Sequence, residues 1–130
     1  MSAAHRYLDV RNTTASKERL MVMLLETALR HIRGAARCLE TKDRQAAKPL
    51  LRKSIEIVMA LQSTLKPEIA PKMVQDLFEL YTFTAARLTR AMATGHPADV
   101  RQAERAFAPI VDGFTQAVAA ITPRGAAARP

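Results

Sequence analysis

YLDVRNTTASKERLMVMLLETALRHIRGAARCL, residues 7–39, joins an extended, partly apolar leader to a long helix carrying more apolar surface than a bundle helix needs. Ser16 suits the N-cap, because its hydroxyl can accept a hydrogen bond from a backbone N–H of the first turn. Glu18 places negative charge where the helix dipole favours it. At about 100° per residue, Leu20, Leu24, Ala28, Ile32, Ala35 and Leu39 make one stripe. Leu25, Leu29 and Ala36 widen it to an arc of roughly 200°. A bundle helix needs an apolar face only somewhat wider than about 100°. Something must cover the excess.

Working outward, the helical period recurs three times. The short break at Thr41-Lys42-Asp43 sends a second helix, about Arg44 to Leu65, back against the first, with Asp43 as its N-cap. Ala47, Leu51, Ser54, Val58, Leu61 and Leu65 form its seam, flanked by Leu50 and Ile57 on one side and Ile55 and Met59 on the other. Pro49 removes a backbone donor, so a kink or loose first turn is expected there. Lys66-Pro67 stops this helix and Pro71 opens the third, whose seam is Val74, Leu77, Tyr81, Thr84, Leu88 and Ala91. Gly95-His96-Pro97 is the next stop and start. The fourth helix places Val100, Ala103, Phe107, Ile110, Phe114, Ala117 and Ile121 in alternating three- and four-residue steps, with bending expected at Pro109. The predicted fold is all-α: an antiparallel up-down four-helix bundle over residues 16–121, behind an extended leader (1–15) and before a flexible tail (122–130).

Composition agrees. The 130 residues are 48% hydrophobic but only 5% aromatic, so the core must be built from aliphatic side chains and alanine, mostly good helix formers. The longest apolar run, Leu20 to Leu25, is far too short to cross a bilayer, and no charged leader precedes an apolar segment. One cysteine cannot make an internal disulfide, which fits a reducing cytoplasm. The net charge of +8 raises the prospect of an acidic partner or nucleic acid. The bases are scattered, however; Arg30, Arg33 and Arg37 make the densest row, on the polar side of the first helix, and read as a solvated face.

Catalytic and metal chemistry find little support. There is no glycine-rich phosphate loop, no cysteine pair and no histidine pair at metal spacing. His5, His31 and His96 stand apart, Cys38 reads as a small thiol at the edge of the first stripe, and Asp76 with Glu79 is an ordinary helix-surface pair. No cofactor, metal site or enzymatic activity is expected.

The chain also resembles the flagellar export chaperone FliS family. Tyr7, Val10 and Thr14-Ala15-Ser16, followed by Leu20 and Met23-Leu24, are similar to the family's N-terminal signature of Tyr, Val, Thr-Ala-Ser-Pro and a Met-Leu-Tyr-Asp helix. Lys17 replaces the proline and Leu25-Glu26 the Tyr-Asp. Lys42-Asp43, Leu50-Leu51, Lys53 and Ile57 fall where the family has Gly-Asp, paired leucines, Lys and Ile; Asp76-Leu77 with Leu80-Tyr81 is similar to its third-helix pattern. Phe114 stands where a tryptophan is common. The similarity covers about residues 7–121.

The resemblance implies a cytoplasmic chaperone whose client is flagellin. The client's disordered C-terminal segment would fold against the bundle, which prevents premature polymerisation and keeps it export-competent. Other flagellar assembly or export components are further candidate partners. The groove residues expected to meet the client are Leu50, Ile57 and Leu61, with Leu77, Leu80 and Tyr81 across from them. Methionines 21, 23, 59, 73 and 92 fill the core or line a groove tolerant of a helical partner. Tyr7, Leu8 and Val10 have no use in a solvated terminus, so they are expected to form a removable lid over an apolar groove. Two alternatives stay open: a basic bundle that binds nucleic acid, and a bundle that only homodimerises through its apolar flanks.

Overall fold

The computed structural model describes residues 17–121, and these form four helices with no strand among them. The expected Ser16 cap, the lid residues Tyr7, Leu8 and Val10, and the tail from 122 onward lie outside the described residues. We label the helices α1 (Lys17–Glu40), α2 (Arg44–Ser63), α3 (Pro71–Thr94) and α4 (Pro97–Ile121). α1 packs on α2 and α4, and α3 packs on the same two; α1 does not approach α3, nor α2 approach α4. The section is therefore a square, with α3 diagonal to α1.

The seams read from the sequence supply the core. Leu25, Ala28, Ile32, Ala35 and Leu39 of α1 meet Ala47, Leu51, Val58 and Leu61 of α2, Tyr81, Leu88 and Ala91 of α3, and Val100, Ala103, Phe107 and Ile110 of α4. Each fully buried large side chain contributes roughly 1.5–3 kcal/mol through area removed from water. Two hydroxyls sit in this core without leaving a polar atom unmatched. Ser54 Oγ lies 2.9 Å from the Leu50 carbonyl and Thr84 Oγ1 lies 2.8 Å from the Leu80 carbonyl, each bonding back within its own helix. The Tyr81 and Phe107 rings pack tilted, centroids 6.3 Å apart, and burial pushes the Tyr81 phenol up to about 12.

The stripe on α1 is not covered along its whole length. Leu24 stays exposed and Leu20 half-buried, as do Ala117 and Ile121 exposed at the end of α4. All four belong to the same pole of the bundle.

The punctuation is explicit. Asp43 caps α2, accepting from the Ala46 amide at 3.1 Å. The second helix ends at Ser63, slightly short of the expected Leu65, where Thr64 Oγ1 donates to the Leu61 carbonyl at 2.7 Å. Gly95 closes α3 in the left-handed region at φ 73°, and Lys42 takes the same region at φ 64° in the α1–α2 turn. Both α2 and α4 run unbroken through their internal prolines, Pro49 and Pro109. Cys38 is half-buried against the core with its thiol free.

Charge ties the corners together. Arg101 of α4 holds Glu40 of α1 with two nitrogen–oxygen contacts of 2.9 Å, and donates to Glu104 at 2.8 Å. Glu104 in turn accepts from Arg33 of α1 at 2.8 Å. At the α3–α4 corner Asp99, buried, lies 3.8 Å from Arg87 and 3.7 Å from Arg90 and accepts from Thr94 Oγ1 at 3.2 Å. Arg44, at the start of α2, donates to the Ala93 carbonyl at 3.2 Å and so serves the C-terminus of α3.

Candidate functional site

The six residues expected to line one groove are spread over three surroundings. Leu61 and Tyr81 sit in the core at 1% and 2% exposure, so they offer no surface and instead support whatever lies above them. Leu50, Ile57 and Leu77 are half-buried and packed against the core. Leu80 alone is exposed, at 39%.

Nor do the exposed flanks face one another. Leu50 turns toward α1: its Cδ1 would lie 3.2 Å from a Cβ on Gly34. Ile57, two turns along, shares that flank, as does Lys53, whose charge, after burial and Arg30, helps hold the His31 imidazole below its usual range. Leu80 lies on the other side of the molecule, on the α4 flank of α3. Arg87, about two turns from Leu80, marks that flank: it reaches Asp99 of α4 and its guanidinium sits 5.1 Å above the Phe83 ring. The groove expected between α2 and α3 is therefore not assembled from these six.

A different apolar surface runs along α3. Met73, Phe78, Leu80 and Phe83 are all substantially exposed, Met73 at 61% and Phe78 at 49%. Only Tyr81, Thr84, Leu88 and Ala91 of this helix are buried. Phe78 is on the α2 side, since Gln62 of α2 donates to the Phe78 carbonyl at 3.1 Å and to Thr82 Oγ1 at 2.7 Å. Met59 of α2, also exposed, extends the strip on that side. On the α4 side the strip borders small residues. Gly113 and Ala117 lie away from the Glu104 flank that meets α1, and a Cβ on Gly113 would meet nothing within 4 Å. α3 is therefore an apolar ridge with two slopes roughly 160° apart: Phe78 with Met59 on the α2 side, and Met73, Leu80 and Phe83 on the α4 side.

Phe83 was not singled out by the sequence, although a signal existed: an aromatic two positions past the buried Tyr81 cannot share its seam. Which neighbour each flank meets had no signal, because periodicity fixes angles about one helix axis only.

A separate groove opens between α1 and α4, with a volume of about 990 Å³. Its lining is mixed: Leu29, Ala108, Pro109 and Val111 with Arg30, Arg33, Arg37, Arg105, Glu26 and Asp112. Among the described residues no group of histidine, cysteine and carboxylate side chains could hold a metal ion, and no helix is long and apolar enough to cross a membrane.

The family model described as flagellar protein FliS matches residues 1–121, nearly the whole chain. A comparison with curated proteins gave no match.

Proposed function

This chain belongs to the FliS family of flagellar export chaperones, and from that premise we propose that it works in the cytoplasm on flagellin, taking up the client's disordered C-terminal segment. The observation that carries the reading is the ridge on α3. Met73, Phe78, Leu80 and Phe83 are four large apolar side chains left facing solvent on one helix. An amphipathic segment lying on the α4 side buries Met73, Leu80 and Phe83 with its own apolar face, and a further stretch of client on the α2 side buries Phe78 with Met59. The ordering cost of a disordered client, about 1–2 kcal/mol per residue for its backbone, is offset by that burial. Segments so held are withheld from the contacts that would start a filament.

Leu61, Leu77 and Tyr81 enter this reading as the packed base under the ridge, and Leu80 as its centre. Leu50 and Ile57, on the α1 flank of α2, would touch only a client long enough to pass around the bundle. The leader residues Tyr7, Leu8 and Val10 remain proposed as a displaceable cover of apolar surface.

Co-expression with a flagellin from the same cell, followed by size-exclusion chromatography, tests the proposal. A soluble one-to-one complex is expected. Phe78→Glu and Leu80→Glu should each weaken capture at least about tenfold, as losing one buried apolar side chain implies, with the melting temperature of the free bundle nearly unchanged. Ile57→Glu should instead lower that temperature, because it forces a charge against the core. If flagellin is captured equally by all three variants, α3 is not the docking ridge. Recovery of a homodimer with no affinity for flagellin would favour self-association.

A further inference from the structure

We infer that the α1–α4 groove is a second docking site, independent of the client ridge, for an acidic amphipathic peptide segment of another protein. α1 lies diagonal to α3 and makes no contact with it, so both sites can be filled at once.

The inference rests on how charge is distributed in the groove. Arg33 is committed, since its guanidinium is bonded to Glu104. Arg30, Arg37 and Arg105 line the same groove and make no ion pair among the described residues. Arg30 reaches only the Thr27 hydroxyl, at 3.3 Å. Three guanidiniums along one trough have no carboxylate bonded to them, Arg37 acting on Glu40 only through space, and they offer donors for carboxylates of a partner. Beneath them Leu29 and Val111 are almost wholly buried, and Ala108 and Pro109 give an apolar wall. From Glu26 to Arg37 the trough runs about 17 Å, or three helical turns.

The occupant is narrowed by what does not fit. The chain's own segments outside the described helices are basic: residues 1–16 carry Arg6 and Arg11 against Asp9, and residues 122–130 carry Arg124 and Arg129 with no acid. A second copy has no acidic run to offer, since its twelve carboxylates are scattered through a chain of net charge +8. A nucleic acid strand would bring evenly spaced phosphates against Glu26 and Asp112, which line the same groove. A peptide can place glutamates opposite the arginines, uncharged residues beside Glu26 and Asp112, and apolar side chains on the wall.

The test uses the full chain and a fluorescein-labelled helical peptide of about three turns, leucines on one face and glutamates on the other, read by fluorescence anisotropy. Its glutamine counterpart and an oligothymidylate of equal length are the comparison probes. The glutamate peptide should bind. Arg30→Gln/Arg37→Gln/Arg105→Gln should weaken it by at least about tenfold, equivalent to about 1.4 kcal/mol. Lys48→Gln/Arg52→Gln/Lys53→Gln, which removes equal charge from α2, should not. Flagellin capture by the α1–α4 variant should be retained. The proposal is overturned if the glutamate peptide fails to bind, if the glutamine peptide binds as well, or if the two triple variants behave alike. Tighter binding of the oligothymidylate, displacing the peptide, would reassign the groove to nucleic acid.

Discussion

Lys42 and Gly95 occupy the same left-handed backbone region, at φ 64° and φ 73°, and only one of them is suited to it. Each closes a helix, where the left-handed turn lets amides reach back to late carbonyls; the Asp43 amide bonds the Cys38 carbonyl at 2.8 Å and the Gly95 amide the Ala91 carbonyl at 2.8 Å. A side chain in this region costs roughly 1–2 kcal/mol. Lys42→Gly should therefore raise the melting temperature, by about 1 kcal/mol of stability. Gly95→Ala should lower it by more, because a Cβ there would also lie 2.7 Å from Arg44 Nε and disturb the donor serving the end of α3. Thermal melts of the two variants check both signs. Gly95 was legible as a stop because Gly before His96-Pro97 ends a helix by its own chemistry. The role of Arg44 was not, since its partner carbonyl is 49 residues away.

The helices themselves were legible almost to their ends. Period, Asp43, Pro71 and Pro97 are local signals, and local signals are what a single sequence carries. How α1 is fastened to α4 was hidden, because Glu40, Arg101, Glu104 and Arg33 are ordinary surface residues until two helices meet. That ladder has a pH signature. The Arg101 hydrogen bonds hold the Glu40 carboxyl below its usual range. Burial alone would raise Glu104, but its bonds to Arg33 and Arg101 outweigh that and hold it low as well. A depressed carboxyl contributes stability above its unfolded value, near 4.5, and that contribution is lost as pH falls through the lower folded value. Melting temperature should therefore decline as pH drops below about 4.5, and Glu40→Gln/Glu104→Gln should show a lower plateau with a shallower acid decline. Because Glu40 and Arg33 are about half exposed, at 44% and 48%, added salt should shrink the difference. Parallel curves for the two proteins would mean the ladder adds nothing to folding.

Considered entire, the bundle divides its chemistry by corner: apolar side chains exposed along α3, arginines between α1 and α4. The wide apolar arc of the first helix is mostly taken up by packing on α2 and α4, with Leu24 left exposed, while the large apolar side chains on α3 stay exposed. Leu61 and Tyr81 stand in the seams of their helices, which marks them for burial, and Leu80 stands off the seam; only the neighbour that each flank meets needed the assembled square. The square has a mechanical consequence too. α1 and α4 are antiparallel neighbours, so Lys17 and Ile121 leave the bundle at one pole, and the Glu40–Arg101–Glu104–Arg33 ladder lies toward the other. Tension between residues 17 and 121 would part the two helices contact by contact, like a zipper, reaching the ladder last. Tension between residues 42 and 121 would load whole interfaces in shear. In an optical trap the first geometry should rupture at clearly lower force, and equal forces would refute this picture. A pull that draws residues 17 and 121 apart therefore runs along the molecule's weakest direction.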